Sequence, residues 1–135
     1  MSAIEEVLAY LKKNPTYFLA TVDEEGNPQV RPFGTATLFD GKLYIETGRS
    51  KSVFKQMAAH PRVAMCAMDA EGGWLRIEAD AVEDDRLQAR QALLDDYPEL
   101  KDMYAADDGN CTVLALTNAT ATFYSFASEP RAVTF

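Results

Sequence analysis

In the stretch WLRIEADAVED, Trp74 to Asp84, apolar and polar side chains alternate strictly from Leu75 to Ala81. That period of two belongs to a β-strand, whose successive side chains point to opposite faces. Leu75, Ile77, Ala79 and Ala81 fall on one face, and Trp74, Arg76, Glu78 and Asp80 on the other. The stretch predicts a long strand with one buried face. A tryptophan on a polar face covers a subunit, a ligand or a neighbouring loop, or else lies over a local surface patch.

Outward from this strand the chain is mostly β. Upstream, AEGG is a turn, and RVAMCAM (62–68), apolar on both faces, predicts a central strand with Cys66 as a buried, reduced thiol. Further upstream, TYFLATV (16–22), the turn DEEGN, PQVRPFGTATLF (28–39), the hairpin signal Asp40-Gly41 and KLYIET (42–47) read as a three-stranded antiparallel meander. Downstream, the stretch from Asp85 to Tyr104 reads as helical, broken near Pro98. CTVLALTN and ATATFYSF close the pattern as two strands.

Two further helices are marked. Ser2 and Glu5 have capping-box spacing, Ile4, Val7, Leu8 and Leu11 form a stripe, and Asn14-Pro15 ends the helix. The other runs from Ser50 to His60, with Val53, Phe54, Met57 and Ala58 inward and His60-Pro61 as its stop. Many short strands with few helices indicate a barrel or sandwich. With no repeat, linker or low-complexity tract, residues 1–135 read as a single domain.

The composition, 47% hydrophobic and 25% charged, is that of a globular chain able to bury a core without disulfides. Asp and Glu number 21 against 13 Lys and Arg, a net charge of -8. Such a surface repels nucleic acid and anionic membranes. No segment is apolar for long enough to span a bilayer as a helix, and Glu5 and Glu6 stand where a signal peptide would be basic or apolar. The expectation is a cytoplasmic protein. One histidine and two scattered cysteines argue against a metal site.

Two stretches carry candidate chemistry. In PQVRPFGTATLF, alternation puts Arg31, Phe33, Thr35 and Thr37 on one face. A cation, a ring and hydroxyls suit a planar polar ligand, and equally a solvated face with one exposed Phe. In YIETGRSKSVFKQM (44–57), Thr47, Arg49, Ser50, Lys51, Ser52 and Lys55 gather where a strand gives way to a helix. Bases, hydroxyls and free backbone N–H groups suit a bound anion. Ser50 as a plain N-cap is the commoner reading of such a junction taken alone. His60, with no Gly-x-Ser-x-Gly in the chain, is a poor general base, and no catalytic side chain is assigned.

The ordered series FLATVDEEGNPQVRPF, DGKLYIETGRSKSVFKQMAAHPRVAMCA and WLRIEADAV resembles the pyridoxamine 5'-phosphate oxidase-like family of FMN-binding split barrels, from about Tyr17 to Phe126. The style is that of its small single-domain branch related to nitroimidazole-resistance reductases. The resemblance implies a mainly β, six-stranded antiparallel split barrel with a few short helices, and a homodimer with FMN at the subunit interface. It implies an FMN-dependent oxidoreductase or flavin reductase acting on a small-molecule electron donor and acceptor. It also implies roles: Arg31 and Phe33 on the flavin, Thr47 near the phosphate, and Ser50 and Lys51 holding it, with Arg49 or Ser52 as register substitutes. Trp74 matches a flavin-facing position, with Arg76 beside it. Two departures count. The Arg-x-His element of the vitamin-processing oxidases is replaced by SEPRAVTF, which argues against pyridoxamine phosphate as substrate. No Gly-x-Gly-x-x-Gly is present, so a nicotinamide would have to stack transiently on the flavin. The alternative is a non-catalytic flavin- or haem-binding barrel, for which His60 is an unpromising axial ligand.

Overall fold

The computed structural model describes residues 1–135. The elements are α1 (Ala3–Lys13), β1 (Tyr17–Val22), β2 (Pro28–Phe33), β3 (Thr37–Phe39), β4 (Lys42–Gly48), α2 (Ser52–Ala59), β5 (Arg62–Met68), β6 (Trp74–Asp84), α3 (Leu87–Asp96), a 3₁₀ turn (Pro98–Asp102), β7 (Cys111–Tyr124) and β8 (Arg131–Thr134). The strands form one antiparallel sheet in the order β2-β1-β5-β6-β7-β4-β3, with β8 also on β7. The end strands β2 and β3 do not pair, so the sheet curls without closing. Two short strands, β3 and β8, are added to the six longer ones of the expected split barrel.

The meander reading needs correction. PQVRPFGTATLF is not one strand: it breaks between β2 and β3, and these lie at opposite ends of the sheet. At the break, side chains satisfy the backbone groups that a ladder would otherwise pair. The Tyr17 hydroxyl donates to the Thr35 carbonyl at 2.7 Å, and the Tyr97 hydroxyl lies 3.0 Å from both the Ala36 N–H and its carbonyl. CTVLALTN and ATATFYSF, read as two strands, are one 14-residue strand, β7. A bulge marks the apparent boundary: Glu78 faces Thr120 while Asp80 faces Thr117. Asn118 takes φ 48° there. Asparagine tolerates that conformation, and its side chain donates to Asp80 at 3.0 Å.

The main core joins Leu19, Leu43, Ile45, Met65, Leu75 and Ile77 to Val7 and Leu11 of α1 and Val53 and Met57 of α2. Ala58, expected inward, is exposed. The capping box of α1 is present, with Ser2 and Glu5 bonded reciprocally at 3.2 Å. A second cluster, Tyr44, Ala89, Leu93, Val113 and Ala115, seats α3 on the other side of β4 and β7. Those two strands are therefore covered on both faces.

The opposite half of the sheet is covered on one face only. In β6 the apolar set Leu75, Ile77, Ala79 and Ala81 is buried, as its alternation requires. In β5, Val63, Met65 and Ala67 are buried, but Cys66 is exposed rather than buried, because no second layer covers that side. Phe18, Val30 and Met68 stand on the same bare face, 52%, 67% and 64% exposed. Phe18 pairs with Cys66, Ala20 with Val30, and Met68 with Trp74, so the apolar patch is contiguous. No helix is long and apolar enough to cross a membrane.

Candidate functional site: a cleft at the end of β4

β4 runs into α2 through Gly48, Arg49, Ser50 and Lys51, and Asn110 fixes this turn. The Asn110 carbonyl accepts from the Arg49 N–H at 2.8 Å, and its side-chain oxygen from the Ser50 N–H at 3.1 Å. Gly48 is required by this closeness. A Cβ there would lie 3.0 Å from the Asn110 amide and 3.2 Å from the Tyr104 hydroxyl. The helix begins one residue later than Ser50 as N-cap would give. Lys51 takes the cap position and makes no side-chain cap bond, so the start of α2 is open.

Beside this open end is a cleft of about 400 Å³. Its walls include Phe33, Thr35, Glu46, Thr47, Lys51 and Tyr104. Four residues singled out from the sequence, Phe33, Thr35, Thr47 and Lys51, therefore meet around one space. Arg31, two residues before Phe33 in β2, is not among its walls. Its guanidinium donates to the Leu19 carbonyl (3.0 Å), the Thr21 hydroxyl (2.7 Å) and the Gln56 amide oxygen (2.9 Å), tying β2 to β1 and α2. Burial lowers its pKa from the ordinary arginine value. Every other arginine of the chain is ion-paired to a carboxylate, whereas Arg31 has only neutral partners. Lys51 makes no ion pair either.

The remaining candidates lie elsewhere. Arg49 turns away from the cleft and pairs with Glu83 at 2.7 Å and Asp85 at 3.1 Å. Ser50 is exposed on the turn. Ser52 borders a separate depression along α2 with Lys55, Gln56, Asp23, Glu24 and His60. Thr37, grouped with Arg31 by alternation, instead donates to Asp96 at 2.8 Å. Trp74 stacks on Tyr124, centroids 4.6 Å apart and planes 9° apart, and Arg76 donates to the Tyr124 hydroxyl at 2.9 Å. Trp74 and Arg76 thus belong to the bare sheet face and not to the cleft. No three His, Cys, Asp or Glu side chains converge as a metal site.

Sequence reasoning missed Glu46. It is 7% exposed, lines the cleft, and its Oε2 has no hydrogen-bond partner. Burial pushes this carboxyl up to about 7, with the Cys111 thiol and Lys51 opposing the shift. Cys111 is pushed up to about 12 by burial first and by Glu46 next. The signal was present: Glu46 is the lone acid in the strand LYIETG, whose neighbours are otherwise apolar or small.

The split antiparallel sheet thus carries an aromatic and cationic cleft at a strand-to-helix junction. The chain belongs to the pyridoxamine 5'-phosphate oxidase-like family: a sequence profile described as pyridoxamine 5'-phosphate oxidase matches residues 3–125. Among solved structures, it is similar to a NimC/NimA family protein from Clostridium acetobutylicum, at 36% identity and a TM-score of 0.94, covering 98% of this chain and 92% of that one. A pyridoxamine 5'-phosphate oxidase-related, FMN binding protein from Nostoc punctiforme shares the fold at 16% identity and a TM-score of 0.67, covering 100% and 97%. A heme binding protein from Mycobacterium smegmatis shares it at 20% identity and 0.72, covering 99% of this chain and 58% of that one. No curated protein matches the chain.

Proposed function

We propose that the protein is a cytoplasmic FMN-dependent oxidoreductase that works as a homodimer on a small molecule other than pyridoxamine phosphate. The observation that carries this reading is a cleft walled by Phe33 and Lys51, with half-buried Arg31, the one arginine without a carboxylate partner, two residues from Phe33 on the same strand, in a chain of net charge -8. A half-buried arginine without a counter-ion is costly unless a ligand supplies the charge. Lys51 at the open start of α2 suits a phosphate, and Phe33 offers a wall for a planar ring. When bound, the flavin supplies the hydride or electron chemistry, and the protein orients and tunes it. Arg31 would sit nearer the ring and Lys51 nearer the phosphate.

The bare face supports the dimer. A contiguous patch holding Phe18, Val30 and Met68, next to the Trp74–Tyr124 stack, suits burial by a second copy. Sedimentation should give a dimer at micromolar concentration, and Phe18→Asp a monomer. An FMN-loaded monomer in the wild type would overturn this.

The decisive experiment is a visible spectrum of the purified protein, with identification of the released cofactor. Oxidised-flavin bands and FMN are expected. A Soret band would establish the haem reading instead, although the only histidine, His60, borders the other depression. In titrations, riboflavin should bind orders of magnitude more weakly than FMN, since each charge-assisted hydrogen bond to the phosphate contributes roughly 1.5–3 kcal/mol. In fully loaded variants, Arg31→Ala should lower the flavin potential, on the order of 30 mV per 1.4 kcal/mol lost. Lys51→Ala should release FMN and leave the potential of the reloaded protein nearly unchanged. The reverse pattern would reassign both roles.

A further inference from the structure

The Glu46 Oε2 is the one buried side-chain polar atom that the fold leaves without a partner. Buried polar groups are otherwise hydrogen-bonded, so an orphan facing a cleft requires a reason. Its surroundings narrow the choice. β7 presents the Cys111 thiol, the loop before it Asp108, β1 Tyr17, and the turn after β4 Lys51. Tyr97, Glu99 and Tyr104 border the same space. Lys51 is the only cation among them. An ionised Glu46 would be a buried unpaired charge that repels the anion Lys51 is placed to hold. A neutral carboxyl has an O–H to donate, and nothing in the chain accepts it.

We propose that Glu46 keeps a proton and donates it as a hydrogen bond to an acceptor oxygen or nitrogen of the ligand in the cleft, so that binding is proton-linked and selects acceptor-bearing anionic ligands. This rests on the reading that FMN occupies the cleft. Burial pushes the carboxyl up to about 7, which keeps the donor form populated at and below neutral pH. Above that range, binding must first reprotonate the group, and affinity falls.

The test is the Kd for FMN by flavin fluorescence quenching, in wild type and Glu46→Gln, across about pH 5.5 to 8.5. The glutamine amide in that variant donates without titrating. The wild-type-to-variant ratio of Kd should stay level in acid and climb above neutral pH, approaching tenfold per pH unit. Titration of the ligand's own phosphate, near pH 6, cancels in this ratio. Infrared difference spectra on FMN binding to wild type should show a protonated-carboxyl band that shifts on binding and is missing in Glu46→Gln. This readout holds even if the variant folds poorly. A flat ratio, or no such band, overturns the role of Glu46 and leaves the flavin reading standing. Failure of the wild type to bind FMN at any pH overturns both.

Discussion

Glu46 and Asp84 are acids on the same side of the sheet with opposite treatment. Tyr44, two residues before Glu46 and on the same face of β4, reaches across β7 and donates to Asp84 at 2.6 Å. Arg86 closes on the same carboxylate at 2.8 Å and 3.0 Å and extends to Asp40 at 3.2 Å. Asp84 is held well below the usual carboxylate range, first by Arg86 and also by Tyr44. It clasps β4, β6 and the start of α3. Glu46 has no such partner and is pushed the other way. A carboxyl kept for stability is enclosed by donors of the chain itself. One kept for a ligand is buried and left open. The two should therefore respond to pH with opposite signs.

Glu46→Gln should give the largest effect in the apo protein. A carboxyl whose pKa rises from 4.5 in the unfolded chain to about 7 in the fold stabilises fully below 4.5. That contribution is lost as pH climbs through 7. Wild type and variant should match near pH 4, and the variant should be more stable at pH 8, by at most about 3 kcal/mol. Urea unfolding at several pH values measures this. Equal pH profiles would erase the contrast with Asp84.

Asp84→Asn should act with the reverse sign and a smaller size. A depressed carboxyl stabilises above its unfolded pKa of 3.8 and loses the contribution as pH falls through its lower folded value. Asparagine still accepts from Tyr44 but loses the charge that holds Arg86. The loss at neutral pH should be about 1–2 kcal/mol, at the lower end because Arg86 is half-exposed. The variant and wild type should converge in acid. Tyr44→Phe should cost no more than Asp84→Asn, since Arg86 still closes on the carboxylate when the tyrosine's bond is lost. A larger cost for Tyr44→Phe than for Asp84→Asn would mean that packing, not the clasp, holds this corner.

The unequal legibility of the two regions follows from what sets each. Alternation in Trp74–Asp84 revealed the buried set because a strand's faces are a local property. The capping box of α1 is local in the same way. Whether a face is covered is not local. RVAMCAM reads as buried on both sides, yet Cys66 and Met68 are exposed, since coverage depends on which layer packs there. Likewise the break at Gly34–Ala36 is set by Tyr17 and Tyr97, distant hydroxyls that compete with strand pairing. At the site, Phe33, Thr47 and Lys51 were legible because a strand end and a helix start are both marked in sequence. Arg49 turns instead to Glu83 and Asp85, partners that β6 and the residue after it bring in and that the local sequence does not show. Glu46 was missed because only the fold shows that Tyr44 is spent on Asp84 and that the Glu46 Oε2 is left without a partner.

The smallest effect expected is none at all, at Cys111. Its thiol is pushed up to about 12 with burial as the leading cause and the charge of Glu46 as the second. The thiolate is the reactive form. Glu46→Gln removes the second cause and leaves the first, since Cys111 is 2% exposed whichever residue faces it. At pH 8 the native thiol should therefore resist alkylation equally in wild type and variant, and react in both after unfolding in urea. Peptide mapping by mass spectrometry reads the label at Cys111. New alkylation in native Glu46→Gln would mean that the carboxyl, not burial, shields the thiol. Glu46 would then be a structural partner of Cys111, enclosed like Asp84, and the distinction between the closed and the open acid would fail.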